Sequence, residues 1–228
     1  MSANMKEIKE RIDSVKSTSQ ITNAMNIVSS TKFKRFQVLT LKSRNYARAV
    51  NEAFDNLVAS LTGNKFVIFD GKSEVKRVGI IVMTSDRGLC GSFNSNTFRR
   101  LESMRKQFEK EGKDVSVVTI GRKAKEYCKN RDINVDSEYT QMIPETMFET
   151  GKKISEDVVQ FYLNDFYDEV YMIYSKFVSA VEYNIQVEKM LPIEKKEGLP
   201  TKEYVFEPSE EEVLNSFVPQ VLNIKLYQ

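Results

Sequence analysis

The chain has 228 residues, 41% of them hydrophobic and 29% charged, enough to bury a sizeable core in one or two domains. Its 34 Lys and Arg stand against 32 Asp and Glu, a formal charge of +2, which excludes a chain-wide field for holding nucleic acid. Histidine is absent, and with it go Ser-His-Asp and Cys-His nucleophile systems and every metal site that needs imidazole.

The two cysteines, Cys90 and Cys128, make one optional pair. In a chain of this size that fits a reducing compartment better than a disulfide framework, and both are expected as small buried residues. No stretch approaches the roughly 18 consecutive apolar residues of a membrane span. The opening Met1-Ser-Ala-Asn-Met-Lys-Glu7 has no apolar signal core, and Glu7, Glu10 and Asp13 come too early for an organellar presequence. The protein is therefore expected to stay inside the cell that makes it.

From Met1 to Thr62 there is neither Gly nor Pro, so one very long helix is expected, capped by Asn4 with Glu7 in its first turn. Some 58 residues at about 1.5 Å each would span roughly 87 Å, far beyond an ordinary globular helix. Apolar residues fall at Met5, Ile8, Ile12 and Val15, at Ile21, Met25 and Val28, at Phe36 and Leu39, and at Tyr46, Val50, Phe54, Leu57 and Leu61. Spacings of three, four and seven describe a coiled-coil seam. Ser17-Thr18-Ser19 and Ser29-Ser30-Thr31-Lys32 interrupt it, so those stretches bury less or meet something other than an apolar helix. A seam needs a facing helix, and no later segment matches its length; the partner is expected in another chain or beyond Gln228. Lys32, Lys34, Arg35, Lys42, Arg44 and Arg48 form a run without an acidic residue among them. It reads either as a solvated face or as a surface that approaches acidic protein.

Gly63, Asn64, Asp70 and Gly71 mark a connection, and the chain then changes character. Val78–Met83 reads as a buried strand, followed by the turn Ser85-Asp-Arg-Gly-Leu-Cys-Gly-Ser-Phe-Asn94 and a helix over about Ser95–Glu111. Val115–Ile120 reads as a strand, Arg122–Asn130 as a short helix, Met147–Asn164 as a longer one and Glu169–Tyr174 as a third strand. Tyr183–Met190 alternates like an antiparallel edge. Pro208-Ser209 opens a helix with Glu210, Glu211 and Glu212 in its first turn, its continuation past Pro219 left open. The fold class is α/β: a long N-terminal coiled-coil helix (1–62), an open Rossmann-like α/β domain (76–207), and the start of a C-terminal helical segment (208–228).

Three motifs are weak on inspection. Gly71-Lys72-Ser73 resembles the end of a phosphate-binding loop, but Phe66 stands where its first glycine would be and the following residues read as strand rather than helix. Gly88-Leu-Cys-Gly91 follows a strand as a dinucleotide-binding turn does, with only the last spacing of G-x-G-x-x-G; a tight turn for close packing is the better reading. Asp86, Arg87 and Cys90 have no general base near them in sequence. No catalytic, cofactor or metal site is predicted.

Two segments carry a family resemblance. Ile8-Lys-Glu-Arg-Ile-Asp-Ser-Val-Lys16 with Gln20-Ile-Thr-Asn-Ala-Met-Asn-Ile-Val-Ser-Ser-Thr-Lys-Phe-Lys-Arg35 resembles the helix signature of the gamma subunit of F-type ATP synthases. Ser85–Asn94 is similar to that family's characteristic turn, with Ser92 where glycine is common. Tyr204-Val-Phe-Glu-Pro-Ser209 adds a third match before the last helix.

The resemblance implies a non-catalytic central rotor shaft. The N-terminal helix would enter the ring of alpha and beta subunits, and the α/β domain would rest on the epsilon subunit and the membrane c-ring. Ile21, Met25, Lys32 and Arg35 fall in the stretch that in the family faces the beta subunits, and Tyr204 and Glu207 match positions near the rotor ring. It also implies that a C-terminal helix pairing with the first is missing after Gln228. The setting expected is the cytoplasmic face of a bacterial cell membrane. A self-associating coiled-coil scaffold with an α/β cap is the competing reading, and it would form a stable homo-oligomer.

Overall fold

The structure is a computed structural model that describes residues 2–61, 66–179, 182–196 and 204–227. The chain divides into two compact units, residues 2–48 and 49–227.

The first unit is a single element, the greater part of helix α1 (Ser2–Ser60), which runs 59 residues without a breaker. The helix already includes Ser2, so Asn4 lies inside it and is not the cap that its sequence position suggests. The polar interruptions do not break it, and some of the hydroxyls in and beside them bond back to helix carbonyls. Thr18 donates to the Ser14 carbonyl (2.9 Å), Thr22 to that of Thr18 (2.8 Å) and Thr31 to that of Ile27 (2.9 Å).

The second unit is built on a five-stranded sheet: β1 (Arg77–Met83), β2 (Asp114–Ile120), β3 (Val135–Tyr139), β4 (Glu169–Ser179) and β5 (Glu182–Leu191). Their order is β3-β2-β1-β4-β5, parallel except for β5, which pairs antiparallel with β4 at the edge. β1 is central and buried on both faces, hence its unbroken apolar run Val78-Gly-Ile-Ile-Val. Helices α3 (Phe93–Lys110) and α4 (Arg122–Lys129) cover one face, packing Leu101, Met104, Phe108 and Ala124 on Val78, Ile80 and Val82. The other face carries α5 (Met147–Leu163), α6 (Glu210–Tyr227), the short α2 (Val67–Asp70) and the last turns of α1, where Phe54 sits 5.9 Å from Phe217. β3 is an element that the sequence pattern does not reveal.

α6 continues through Pro219 to Tyr227. It persists without the lost amide because Val218, Val221, Leu222 and Ile224 are buried around that point. The predicted boundary at Gly63 and Asn64 lies outside the described residues.

Candidate functional site

On α1, Ile21, Met25, Lys32 and Arg35 are spaced four, seven and three apart. At about 100° per residue these offsets return to one side of the helix within an arc of roughly 80°. All four are exposed, Ile21 at 59% and Met25 at 50%. Two aliphatic side chains followed by two cations on one face is a surface suited to a protein partner that is partly apolar and partly acidic.

The second group lies in the other unit. Tyr204 and Glu207 belong to the exposed segment before α6, where Val205 is 89% exposed. That segment lines an open groove of about 530 Å³ with Ala53, Leu57, Val213 and Phe217. Ser209 then caps α6 by accepting the Glu212 amide at 3.2 Å, as its position before three glutamates suggests. Neither Val205 nor the groove is visible from periodicity, because the segment has none; an aliphatic residue in a polar, irregular stretch is the only signal.

The three motifs resolve as internal structure. Gly71 adopts φ +70° at the end of α2, and Lys72 is committed to its own chain. Its ammonium donates to the carbonyls of Tyr167 (2.7 Å) and Tyr162 (3.2 Å), pairs with Asp165 (2.7 Å) and Asp168 (3.2 Å), and lies 5.1 Å from the Tyr162 ring centre. Asp168 is buried and also accepts the amides of Lys76 (2.9 Å) and Arg77 (2.8 Å). Burial alone would raise its pKa, but those two amides and Lys72 outweigh it and hold the carboxyl below its usual range. Burial, followed by the nearby Asp168 and Glu169 charges, pushes the Tyr162 phenol up to about 12.

The turn after β1 lies where the strand order reverses, the place at which open α/β sheets bind ligands. Here it is filled by its own side chains: the Ser85 amide, positioned for an anion, donates instead to Asn94 Oδ1 at 3.1 Å. Asp86 accepts the amides of Arg122 (2.8 Å) and Gln141 (3.3 Å) and so ties the turn to the start of α4. The glycines do not serve close packing as the sequence reading expects. Gly91 faces open space and is needed for its φ of +57°, and Leu89 beside it is 95% exposed. Cys90 is exposed too, against the expectation of two buried thiols; only Cys128 is buried, its pKa pushed up to about 11 by burial.

The ATP synthase family model matches residues 4–228. Within that class, the chain is 43% identical over 224 residues to the ATP synthase gamma chain of Fusobacterium nucleatum subsp. nucleatum, covering 98% of this chain and 79% of that one. It is 34% identical over 230 residues to the gamma chain of Trichlorobacter lovleyi, covering 99% and 79%. Among solved structures it is similar to a chain of the central stalk and c-ring of Tetrahymena thermophila mitochondrial ATP synthase. That match has a TM-score of 0.65 at 21% identity and covers 91% of this chain and 89% of that one. The rotor of the Euglena gracilis mitochondrial enzyme gives 0.65 at 16% identity, covering 99% and 84%. The chain belongs to the family of ATP synthase gamma chains.

Proposed function

We propose that this chain is the central rotor shaft of an F1 sector, coupling ion flow through a membrane sector to ATP synthesis or hydrolysis on the beta subunits, and that it performs no catalysis itself. The observation that carries the reading is its 43% identity to a gamma chain across 98% of its length. The 59-residue α1, with an exposed face that is apolar and then basic, supplies a physical means. On this reading 1–62 serve as the shaft segment, 76–207 as the α/β head and 208–228 as a C-terminal helical segment.

Ile21, Met25, Lys32 and Arg35 meet the beta subunits within the ring they form with alpha. Tyr204, Glu207 and the groove beside them face epsilon and the c-ring, at the cytoplasmic side of a bacterial cell membrane. The shaft acts by differential contact. Each angular position offers a different surface to each of several equivalent sites and stabilises a different conformation there, and only that difference in contact free energy does work.

Reconstitution of this chain with alpha and beta subunits, followed by size analysis and an ATPase assay, tests the reading. The expected result is one copy per three alpha and three beta subunits, with turnover confined to beta. A homo-oligomer that ignores both subunits would overturn it in favour of the coiled-coil scaffold.

A further inference from the structure

The near-neutral total conceals a concentration of charge. Residues 93–131, which carry α3 and α4, hold eleven Lys and Arg against five Asp and Glu, in a chain whose whole formal excess is two. The two helices share one face of the sheet, so these charges collect on one side of the second unit.

They are not spread evenly on that side. α3 turns Leu101, Met104 and Phe108 inward, which places Arg99, Lys106 and Lys110, at offsets of seven and four, along its outermost line. All three are exposed, and among the described residues none of them has a carboxylate partner; Arg99 bonds only to the Asn96 amide oxygen. The acidic residues of α3 lie on its flank and are already neutralised. Arg105 reaches Glu102 at 3.4 Å and Glu109 at 3.0 Å, and Glu102 also accepts the Tyr127 hydroxyl at 3.3 Å.

Between α3 and α4 runs an open groove of about 470 Å³, with Arg99, Lys106 and Glu102, the last already paired with Arg105, on one bank and Arg131 on the other. Its floor is the stacked pair Phe98 and Tyr127, with ring centres 3.9 Å apart and planes 12° from parallel. The Arg131 guanidinium closes the other face of Tyr127 at 3.9 Å. With both faces of that ring occupied, a nucleobase has no place to stack on it, which argues against the platform used for single-stranded nucleic acid. A concave surface with a rigid aromatic floor also fits a protein segment better than a flat bilayer.

We propose that the α3–α4 groove is a docking surface for an acidic segment of another protein chain, a helix or strand whose carboxylates meet Arg99, Lys106 and Arg131 at the groove and Lys110 just beyond it along α3. The attraction comes from four cations without a carboxylate partner among the described residues, so it fixes approach and orientation and weakens steeply with salt.

The test uses the full chain and a fluorescent 20-residue polyglutamate peptide, with binding read by anisotropy at low and at physiological salt. The variant Arg99→Glu, Lys106→Glu, Lys110→Glu is expected to lose at least tenfold in affinity. The milder triple change to Gln is expected to lose severalfold, with circular dichroism reporting the fold of both. A control of equal charge, Lys9→Glu, Arg11→Glu, Lys16→Glu, is expected to change affinity less than twofold. Equal losses in control and groove variants would reduce the effect to general charge attraction and overturn the proposal, as would unchanged binding by the folded groove variants. Sedimentation with phosphatidylglycerol vesicles that the groove triple abolishes, in place of peptide binding, would make the occupant a lipid surface and overturn it equally.

Discussion

At the residue scale, Lys72 and Asp168 show how far a motif's letters can stand from its use. Gly71-Lys72-Ser73 shares letters with the end of a phosphate loop without its setting, and the ammonium is satisfied by two carbonyls and two carboxylates of its own chain. The pair sets a pH dependence whose sign follows from the depressed folded pKa of Asp168. Its contribution to stability is fully present above the unfolded value of about 3.9 and is lost as pH falls through the lower folded value. Asp168→Asn should therefore lower the denaturation midpoint at pH 7 and remove part of the decline that the parent chain shows below about pH 4. Parallel midpoint curves for the two proteins from pH 7 to pH 3 would count against this assignment. The cysteines give a second check. Cys90 is exposed while Cys128 is buried with its thiol pushed up to about 11, so a thiol reagent at pH 8 should titrate one group in the folded protein and two after denaturation.

At the scale of elements, legibility follows how each segment is buried. β1 and the first half of β4 are apolar because both their faces are covered, and β5 alternates because it is an edge. The helix α1 is legible from the absence of breakers alone. β3 is not, since Val135-Asp-Ser-Glu-Tyr139 is an edge strand with alternate residues exposed and carries too little apolar content to stand out. The end of α6 is hidden for the opposite reason, a proline inside a helix that tertiary burial sustains. Of the candidate site, Ile21 and Met25 show in the seam spacing, but their grouping with Lys32 and Arg35 comes from the family resemblance rather than from a period, and the Tyr204 groove depends on α1 and α6 meeting across a long separation in sequence. Gly121 illustrates a constraint that sequence alone conceals. It joins β2 to α4 at φ +96°, and an added Cβ would fall 2.2 Å from the Thr84 carbonyl oxygen at the end of β1. Gly121→Ala should cost about 3 kcal/mol or more, because the left-handed conformation and the backbone clash both oppose it. A chemical denaturation curve within 1 kcal/mol of the parent would refute that, on this order-of-magnitude scale.

At the scale of the whole molecule, sequence composition and exposure point the same way. A chain with no histidine and with its sheet crevice filled by Asn94 leaves its conspicuous chemistry on outer surfaces. On the shaft reading, a charge placed in the apolar part of the α1 face should disturb coupling before it disturbs catalysis. Met25→Lys is expected to leave ATPase activity of the reconstituted complex within about twofold while lowering ions pumped per ATP, since activity and coupling rest on different contacts. An unchanged pumping ratio would remove Met25 from the coupling surface. The self-bonded threonines of α1 are spread around the helix rather than along that face, since Thr22 and Thr31 are nine residues and so about 180° apart. With the Thr18, Thr22 and Thr31 hydroxyls already donating to their own helix, what these residues turn outward is largely methyl group. On the shaft reading, a partner that meets the helix at these threonines finds hydroxyls that need not be stripped of water, so the polar interruptions cost little on contact and hold little on release.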